Sequence, residues 1–250
     1  MQKHFFKDQY LDTTDLDLIR RDILKYDSEK LSNFNELLDS NLIPIIKSKI
    51  LNENFLKKIT KNLNSSNFIF LNRVKIQKNK REHNQTWHKD SGRKNQFKIL
   101  SKKNNLLFKI GIYLQDNDKQ LGGGIDIIKP LSYDFLNKYN FFSNFLRKIY
   151  YSYKIRFSDN FLDIKSGEIV GFSGLVFHQT TTIKKHAGNE LIDRLSIYFL
   201  IANENLVKEV ISIHNKENPS QLIELNENIE KIKFNNEEFK VCNSKMTRIL

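Results

Sequence analysis

The sequence predicts a mainly β protein, a β-sandwich or jelly roll supported by a layer of N-terminal helices in one domain. The first observation is a change of pattern, from helical spacing over residues 13–62 to short alternating runs from about residue 67. The second is that Gly, Asn or Asp separates these runs, as between antiparallel strands. The third is the content of 19 Phe and 9 Tyr, which is enough large apolar surface for a real core.

The helical layer, residues 1–66, is predicted from apolar spacing. "TTDLDLIRRDILKY" places its apolar residues on one stripe, with Thr13 or Thr14 available as the N-cap. "LSNFNELL" and "LIPIIKSKILNENFLKKITKNL" continue the helical character, and the second enters through Pro44. The stripe of the first segment consists of Leu16, Ile19, Ile23 and Leu24.

The β core is expected over residues 67–214. The run "LLFKIGIYLQD" alternates best, with Phe108, Ile110 and Ile112 on one face and Lys109 and Tyr113 on the other. A helical insert is predicted at about residues 132–150, and the polar residues 215–250 are predicted to form a weakly packed extension. The other strand-like runs are "NFIFLNRVKIQ", "GGGIDIIK", "YKIRFS", "GEIVGFSG", "DRLSIYFLIA" and "EVISIH".

The composition bounds the class of protein. A single cysteine, Cys242, excludes an internal disulfide and favours a reducing compartment. No leader pattern or membrane-length apolar run is found, so a cytoplasmic protein is expected. The net charge of +12 could indicate a nucleic-acid partner, but the lysines are spread among Asn and Ile, so a solvated face is favoured. The same charge would assist capture of an anionic small molecule.

The stretch "TWHKDSG" suggests a metal site. Side chains two apart on an extended segment leave the same face, so His88 and Asp90 can point at one ion. His178, at the end of the apolar run "GEIVGFSGLVFHQTT", is the preferred third ligand. Two imidazoles and one carboxylate that leave open positions suit non-haem Fe(II) oxygen chemistry.

Other interpretations of these histidines stay open. An H-x-D pair arises readily by chance in such a chain, and a single buried histidine is more often a satisfied core residue. His186 is a rival ligand, although it lies among Lys, Ala, Gly and Asn and does not close a strand.

The run "DRLSIYFLIAN" places Arg194 and Ser196 on one face of a strand. An inward guanidinium needs an anion, and a planar carboxylate matches its geometry best. An internal Arg–Asp or Arg–Glu pair, or an outward arginine, would explain the same pattern. Beside a candidate iron site, a dicarboxylate cosubstrate becomes the better interpretation.

Together these residues resemble the Fe(II)- and 2-oxoglutarate-dependent oxygenases, specifically the phytanoyl-CoA dioxygenase-like branch. The resemblance covers about residues 67–202. It depends on "WHKD", on "FKIGIYLQDNDKQLGGGIDIIKPLSY" as a strand–turn–strand, on the Gly-Glu start of "GEIVGFSGLVFHQTT", and on the arginine of "DRLSIYF". The sequence departs from the branch at "IIKPLSY" and in the longer loop "TIKKHAGNE" before Arg194, which puts Thr180 in more doubt than Arg194.

The resemblance implies a double-stranded β-helix (cupin-like jelly roll) and hydroxylation of an unactivated C–H bond of a small molecule, with Fe(II), 2-oxoglutarate and O₂. Asp90 implies hydroxylation because halogenating relatives leave that position empty. The resemblance implies that His88, Asp90 and His178 ligate the metal. It implies that Arg194 pairs with the far carboxylate of 2-oxoglutarate, and that Thr180 and Ser196 are candidates to bind the same carboxylate. The weaker candidates for the pocket wall are Tyr113, Lys75 and Gln77.

Two alternatives remain. A non-oxidative cupin-like metal protein, such as an isomerase, would share the fold and some ligands but would have no use for Arg194. A basic nucleic-acid-binding module would depend on the lysines and lose affinity steeply with salt.

Overall fold

The computed structural model describes residues 4–24, 50, 52–64, 69–79, 86–90, 107–128, 141–181, 194–217, 221–234 and 237–248. The helices are α1 (Thr13–Leu24), α2 (Glu53–Leu63), α3 (Phe141–Phe157) and α4 (Glu204–Glu217). The strands are β1 (Phe5–Gln9), β2 (Ile69–Asn79), β3 (Leu107–Tyr113), β4 (Ile125–Ile128), β5 (Glu168–Ser173), β6 (Phe177–Thr180), β7 (Arg194–Ala202), β8 (Gln221–Phe234) and β9 (Glu237–Arg248).

Two sheets form the β part of the described chain. The larger has seven strands in the order β1-β5-β3-β7-β2-β9-β8, and the smaller pairs β4 with β6. Neighbouring strands are antiparallel except β2 and β9, which run parallel. The prediction of mainly antiparallel sheets accompanied by helices is therefore confirmed.

The two sheets share one apolar core. Apolar and aromatic side chains of β3, β5 and β7 meet those of β4 and of the segments that flank β5, so the small sheet packs against the large one. This cluster consists of Tyr113, Ile125, Ile127, Ile164, Val170, Phe172, Val176 and Tyr198. The opposite face of β3 is buried too, since Phe108, Ile110 and Ile112 are at most 1% exposed.

The N-terminal layer differs from the helical prediction at its start, because residues 5–9 form β1 at the edge of the large sheet. The cap of α1 also differs. The Asp15 backbone N–H donates to Asp12 Oδ1 at 2.8 Å, so Asp12 is the N-cap rather than Thr13 or Thr14. Leu16 and Ile19 are buried as expected, whereas the side chains of Ile23 and Leu24 lie outside the described set.

Helix α2 forms the end of the predicted helical run "LIPIIKSKILNENFLKKITKNL". Residues 42–49 of that run, with Pro44, and all of the run "LSNFNELL" lie outside the described set. The N-cap of α2 is Asn52, whose side chain accepts the Phe55 backbone N–H at 3.0 Å. Asn64 ends it in the left-handed region, at φ 50°. The buried residues of this helix are Phe55, Leu56 and Ile59.

Two strand predictions are wrong. "YKIRFS" covers the last five residues of α3 and Ser158 after it, and "EVISIH" lies within α4. The first run alternates apolar and polar residues and the second does so only in part. No Gly or Pro separates either run from the helical residues before it, so helical hydrogen bonding continues. The apolar side chains of "YKIRFS" are exposed, so the alternation there did not indicate a half-buried strand.

The C-terminal residues, predicted to form a weakly packed extension, contain two strands that the sequence patterns do not indicate. Residues 221–248 form the hairpin β8–β9, and β9 joins the large sheet beside β2, with Phe70 opposite Val241 and Leu71 opposite Cys242. Polar composition argues against burial of side chains but not against backbone pairing at a sheet edge. In the described part of the chain, no helix combines the length and apolar character that a membrane crossing requires.

A steric prediction follows from the contact between β1 and β5. A Cβ atom at Gly171 would overlap the buried ring of Phe6, so Gly171→Ala should lower the free energy of unfolding by about 1–3 kcal/mol. In a Phe6→Leu background the same substitution should cost much less, because the obstructing ring is gone. Urea unfolding of the four variants measures both costs, and equal losses in the two backgrounds would contradict this explanation.

Candidate metal centre

Two distant segments are joined at the predicted metal-ligand histidines. The His88 backbone N–H donates to the His178 carbonyl at 2.9 Å, and the His178 N–H returns a bond of 2.9 Å to the His88 carbonyl. Residues that exchange both hydrogen bonds are direct antiparallel partners, so their side chains leave the same face. The two imidazole centroids are accordingly 4.4 Å apart.

The side chain of Asp90 completes a group of three. Its Oδ1 lies 3.8 Å from His88 Nε2 and 3.9 Å from His178 Nε2. One ligand atom from each of the three residues lies within 4.8 Å of the others. Since metal bonds to imidazole nitrogen and carboxylate oxygen are about 2.0–2.2 Å long, one cation between these atoms could contact all three after small side-chain movements.

Backbone carbonyls orient both imidazoles. His88 Nδ1 is 2.7 Å from the Thr86 carbonyl, and His178 Nδ1 is 3.1 Å from the Val176 carbonyl. A carbonyl only accepts, so each Nδ1 donates and carries the proton. The Nε2 lone pairs therefore face the shared position, which is the arrangement that a metal-binding histidine requires.

His178 supplies the test of whether a cation fits. Its Nε2 is buried and has no hydrogen-bond partner among the described residues. Burial lowers the pKa of His178 well below the usual imidazole value, and the nearby Asp90 carboxylate opposes that shift only in part. The ring is thus neutral at pH 7 with an unsatisfied lone pair, which by itself costs about 1–3 kcal/mol. A divalent cation would satisfy this atom, so these residues fit a metal ion.

Trp87 and Lys89 flank His88 and point to other contacts. The indole of Trp87 stacks on Phe177, with centroids 5.6 Å apart, and Lys89 Nζ lies 4.6 Å from the centroid of the Tyr151 ring. Burial, followed by the nearby guanidinium of Arg147, lowers the pKa of Lys89 to about 8. These contacts attach the H-x-D segment to β6 and α3 and fix its position.

The wall of the site is aromatic and closely packed. The ring of Phe172 lies 4.6 Å from that of His178. Tyr198 Oη donates to Tyr113 Oη at 3.1 Å, and both tyrosines belong to the buried core. Tyr113, predicted only as a weak pocket-wall candidate, therefore lies in the core between the sheets.

Two predicted binding hydroxyls are buried. Thr180 follows His178 by two residues on β6, so the two side chains share a face, and it is 4% exposed. Ser196 is fully buried on β7, and its Oγ has no hydrogen-bond partner in the part of the chain that the structure describes. Like His178 Nε2, this hydroxyl is a buried polar atom that a ligand could satisfy.

Other predicted site residues are described only through their backbone. Arg194 begins β7 opposite Asn79, while Lys75 and Gln77 of β2 pair with Tyr198 and Ser196. The side chains of Arg194, Lys75 and Gln77 lie outside the described set, and so does all of His186. The start of β7 is tied to the segment after β3, since the Leu195 N–H donates to Gln115 Oε1 at 2.6 Å.

Lys109 was missed as a site residue. Its Nζ lies 3.5 Å from Asp90 Oδ2, although alternation within β3 suggested only a polar face. The available signal was that Lys109 shares this face with Gly111 and Tyr113, a mixture that is unusual for a solvated surface.

No protein-family model matches the chain, and no curated protein matches it in sequence. Solved structures do match in fold. AviO1 from Streptomyces viridochromogenes Tue57 has a TM-score of 0.53 at 10% identity, over 81% of this chain and 91% of that one. HygX from Streptomyces hygroscopicus, with nickel and 2-oxoglutarate bound, has a TM-score of 0.54 at 13% identity, over 81% and 83%. HygX with nickel, 2-oxoglutarate and hygromycin B bound has a TM-score of 0.51 at 13% identity, over 81% and 84%.

Proposed function

We propose that this chain is a non-haem Fe(II)- and 2-oxoglutarate-dependent oxygenase that hydroxylates an unactivated C–H bond of a small molecule, releasing succinate and CO₂. One observation carries the proposal: His88, Asp90 and His178 turn their ligand atoms to one position, where the buried His178 Nε2 has no partner among the described residues. The proposal includes the double-stranded β-helix, the phytanoyl-CoA dioxygenase-like branch and one oxygenase domain over residues 1–250.

The number and type of ligands suit an open catalytic metal site, and we propose iron as its metal. A structural zinc site is closed by four ligands, commonly with cysteine, whereas the described residues offer one carboxylate and two imidazoles. A 2-His-1-carboxylate set leaves positions open for a cosubstrate and oxygen. When bound, Fe(II) would activate O₂, and O₂ would be the oxidant both for C–H hydroxylation and for conversion of 2-oxoglutarate to succinate and CO₂. HygX, which shares the fold, has been crystallised with iron, with nickel and with 2-oxoglutarate.

The chain's residues then divide the remaining tasks. Arg194, at the start of β7, is proposed to pair with the far carboxylate of 2-oxoglutarate, because a guanidinium matches a planar carboxylate. Ser196 is two residues further along the strand, and its buried, unsatisfied hydroxyl would donate to the same carboxylate. Thr180 is a further candidate on β6, with Tyr113, Lys75 and Gln77 as weaker ones.

The core side of the site excludes water. Phe172 is 1% exposed and lies against the His178 ring, while Tyr113 and Tyr198 fill the space between the sheets. A dry wall strengthens the electrostatic attraction between the protein and a bound dianion and shields a reactive centre from side reactions. The Asp90 side, with a side chain 30% exposed, is the more open one, and we propose that a small-molecule substrate approaches there.

The experiment that tests this function is an anaerobic titration of the purified chain with Fe(II) and then 2-oxoglutarate. The expected result is a weak visible charge-transfer band that saturates at one equivalent of each, because a 2-oxo acid chelating Fe(II) absorbs visible light. A titration with succinate in place of 2-oxoglutarate is the matched control and should give no band. A chain that binds Fe(II) but develops no band with 2-oxoglutarate would contradict the proposed cosubstrate.

A further inference from the structure

The two oxygens of Asp90 face different groups. Oδ1 is directed to the imidazoles, 3.8 Å from His88 Nε2 and 3.9 Å from His178 Nε2. Oδ2 is directed to a cation of the chain, 3.5 Å from Lys109 Nζ. Lys109 Nζ therefore does not occupy the position where a metal would bind, because it contacts Asp90 Oδ2 and not Oδ1, the oxygen that faces the two imidazoles.

Lys109 is held firmly in this place. It lies in β3, between β5 and β7, where it is paired with Phe172 on one side and Leu200 on the other. Its Nζ lies 5.2 Å from the ring centroid of Tyr198 and 5.9 Å from that of Phe172. Cation–π contacts of this kind fix an ammonium group and its aliphatic stem.

Gly111 makes room for this arrangement. A Cβ atom there would lie 2.8 Å from Tyr198 Cε1, closer than packed carbon atoms allow, and 3.1 Å from Tyr113 Cε2, which is tighter than most such contacts. The absence of a side chain at Gly111 thus lets the Tyr198 ring occupy the position that Lys109 contacts. Gly111, Tyr198 and Phe172 thus together direct the ammonium group of Lys109 to Asp90 Oδ2.

A carboxylate can ligate a cation through one oxygen or through both. Binding through both would consume a position that 2-oxoglutarate needs, and a partner that occupies the second oxygen opposes it. We propose that Lys109 is a positioning residue that holds Asp90 Oδ2, so that Asp90 offers the metal Oδ1 alone and the site keeps three positions open. The inference rests on the proposed function and assigns to Lys109 a role distinct from binding the metal.

The test uses Co(II), whose visible spectrum reports the number and geometry of its ligands, with a separate titration of 2-oxoglutarate. Lys109→Met keeps an unbranched side chain that is only one atom shorter, and it removes the charge. It should bind Co(II) with an altered spectrum and bind 2-oxoglutarate about tenfold or more weakly. Lys109→Arg should restore both properties to near wild type, because it returns a cation to Oδ2.

The matched control is Lys119→Met. Lys119 also combines an ion pair, 2.6 Å to Asp159, with an aromatic contact, 5.2 Å to the Phe161 ring, but it lies outside the trio of ligands. This variant should behave as wild type. Identical Co(II) spectra and 2-oxoglutarate affinities in wild type and Lys109→Met would overturn the inference alone, as would loss of Co(II) binding in Lys109→Met. Failure of the wild type itself to bind Co(II) would overturn the proposed function and this inference with it.

Discussion

Replacing Asp90 with alanine should reduce Fe(II) affinity by more than about 100-fold and bring 2-oxoglutarate-dependent succinate formation to background. Loss of a residue that only supports a ligand costs about 10–100-fold, so loss of the ligand should cost more. Asp90 is the one carboxylate in the described group, and its Oδ1 is the atom that both Nε2 atoms face. Without it, two neutral imidazoles remain, with no negative charge to offset the cation.

Calorimetric titration with Fe(II) under anaerobic conditions and a succinate assay in air measure the two effects. Asp163→Ala is the matched control, since that carboxylate is 63% exposed and pairs with Lys165 at the surface. It should leave both measurements unchanged. Succinate formation by Asp90→Ala at the wild-type rate would remove Asp90 from the metal site.

Replacing His178 with leucine should weaken metal binding strongly while leaving the metal-free protein at least about as stable as before. Two effects on the unfolding free energy oppose each other, and the stabilising one is at least as large as the other. The substitution raises the unfolding free energy by about 1–3 kcal/mol, because it removes a buried Nε2 that has no hydrogen-bond partner among the described residues. It lowers the unfolding free energy by about 0.5–1.5 kcal/mol, because it also removes the hydrogen bond to the Val176 carbonyl. Fe(II) affinity should fall by more than about 100-fold, because one ligand of three is lost.

Urea unfolding in a chelator and Fe(II) titration separate the two effects. His4→Leu is the matched control, since His4 is a partly buried histidine that contacts Ser173 Oγ at 3.3 Å but does not belong to the trio. It should retain wild-type affinity for Fe(II). A His178→Leu protein that still binds Fe(II) tightly would show that another residue completes the site. A large loss of stability would show that His178 serves the core rather than a ligand.

The predicted ligand trio depended on rules that are local in sequence. The spacing of His88 and Asp90 gave two side chains on one face, and the run that ends in His178 gave a strand with an inward histidine. The sequence did not contain the reciprocal backbone bonds that bring residues 88 and 178 together across ninety positions. That pairing follows from the order of the strands, for which only the resemblance to a family provided an expectation.

Lys109 illustrates what local patterns could not supply. Its face of β3 was identified correctly as the one that carries Tyr113, but a lysine on an alternating strand normally indicates solvent. Both faces of β3 pack against other parts of the protein, so the alternation of polar and apolar residues does not show which face is exposed to solvent. Only the positions of Asp90 and of the Tyr198 ring give this lysine its place beside the site.

The end of α3 and the C-terminal hairpin were missed for a related reason. Short alternating runs are compatible with a helix or a strand, and the outcome depends on whether a turn residue interrupts the hydrogen bonding. In "YKIRFS" nothing interrupts it, and α3 continues to Phe157. At the C-terminus, β9 pairs with β2, and amino-acid composition does not predict such backbone pairing.

Anomalous diffraction at the iron edge, from crystals grown anaerobically with Fe(II), tests the metal site most directly. The expected map has one strong peak within bonding distance of His88 Nε2, His178 Nε2 and Asp90 Oδ1. A peak elsewhere, or a peak at His88 and Asp90 with His178 Nε2 beyond bonding reach, would contradict the assignment of these three residues to one ferrous ion.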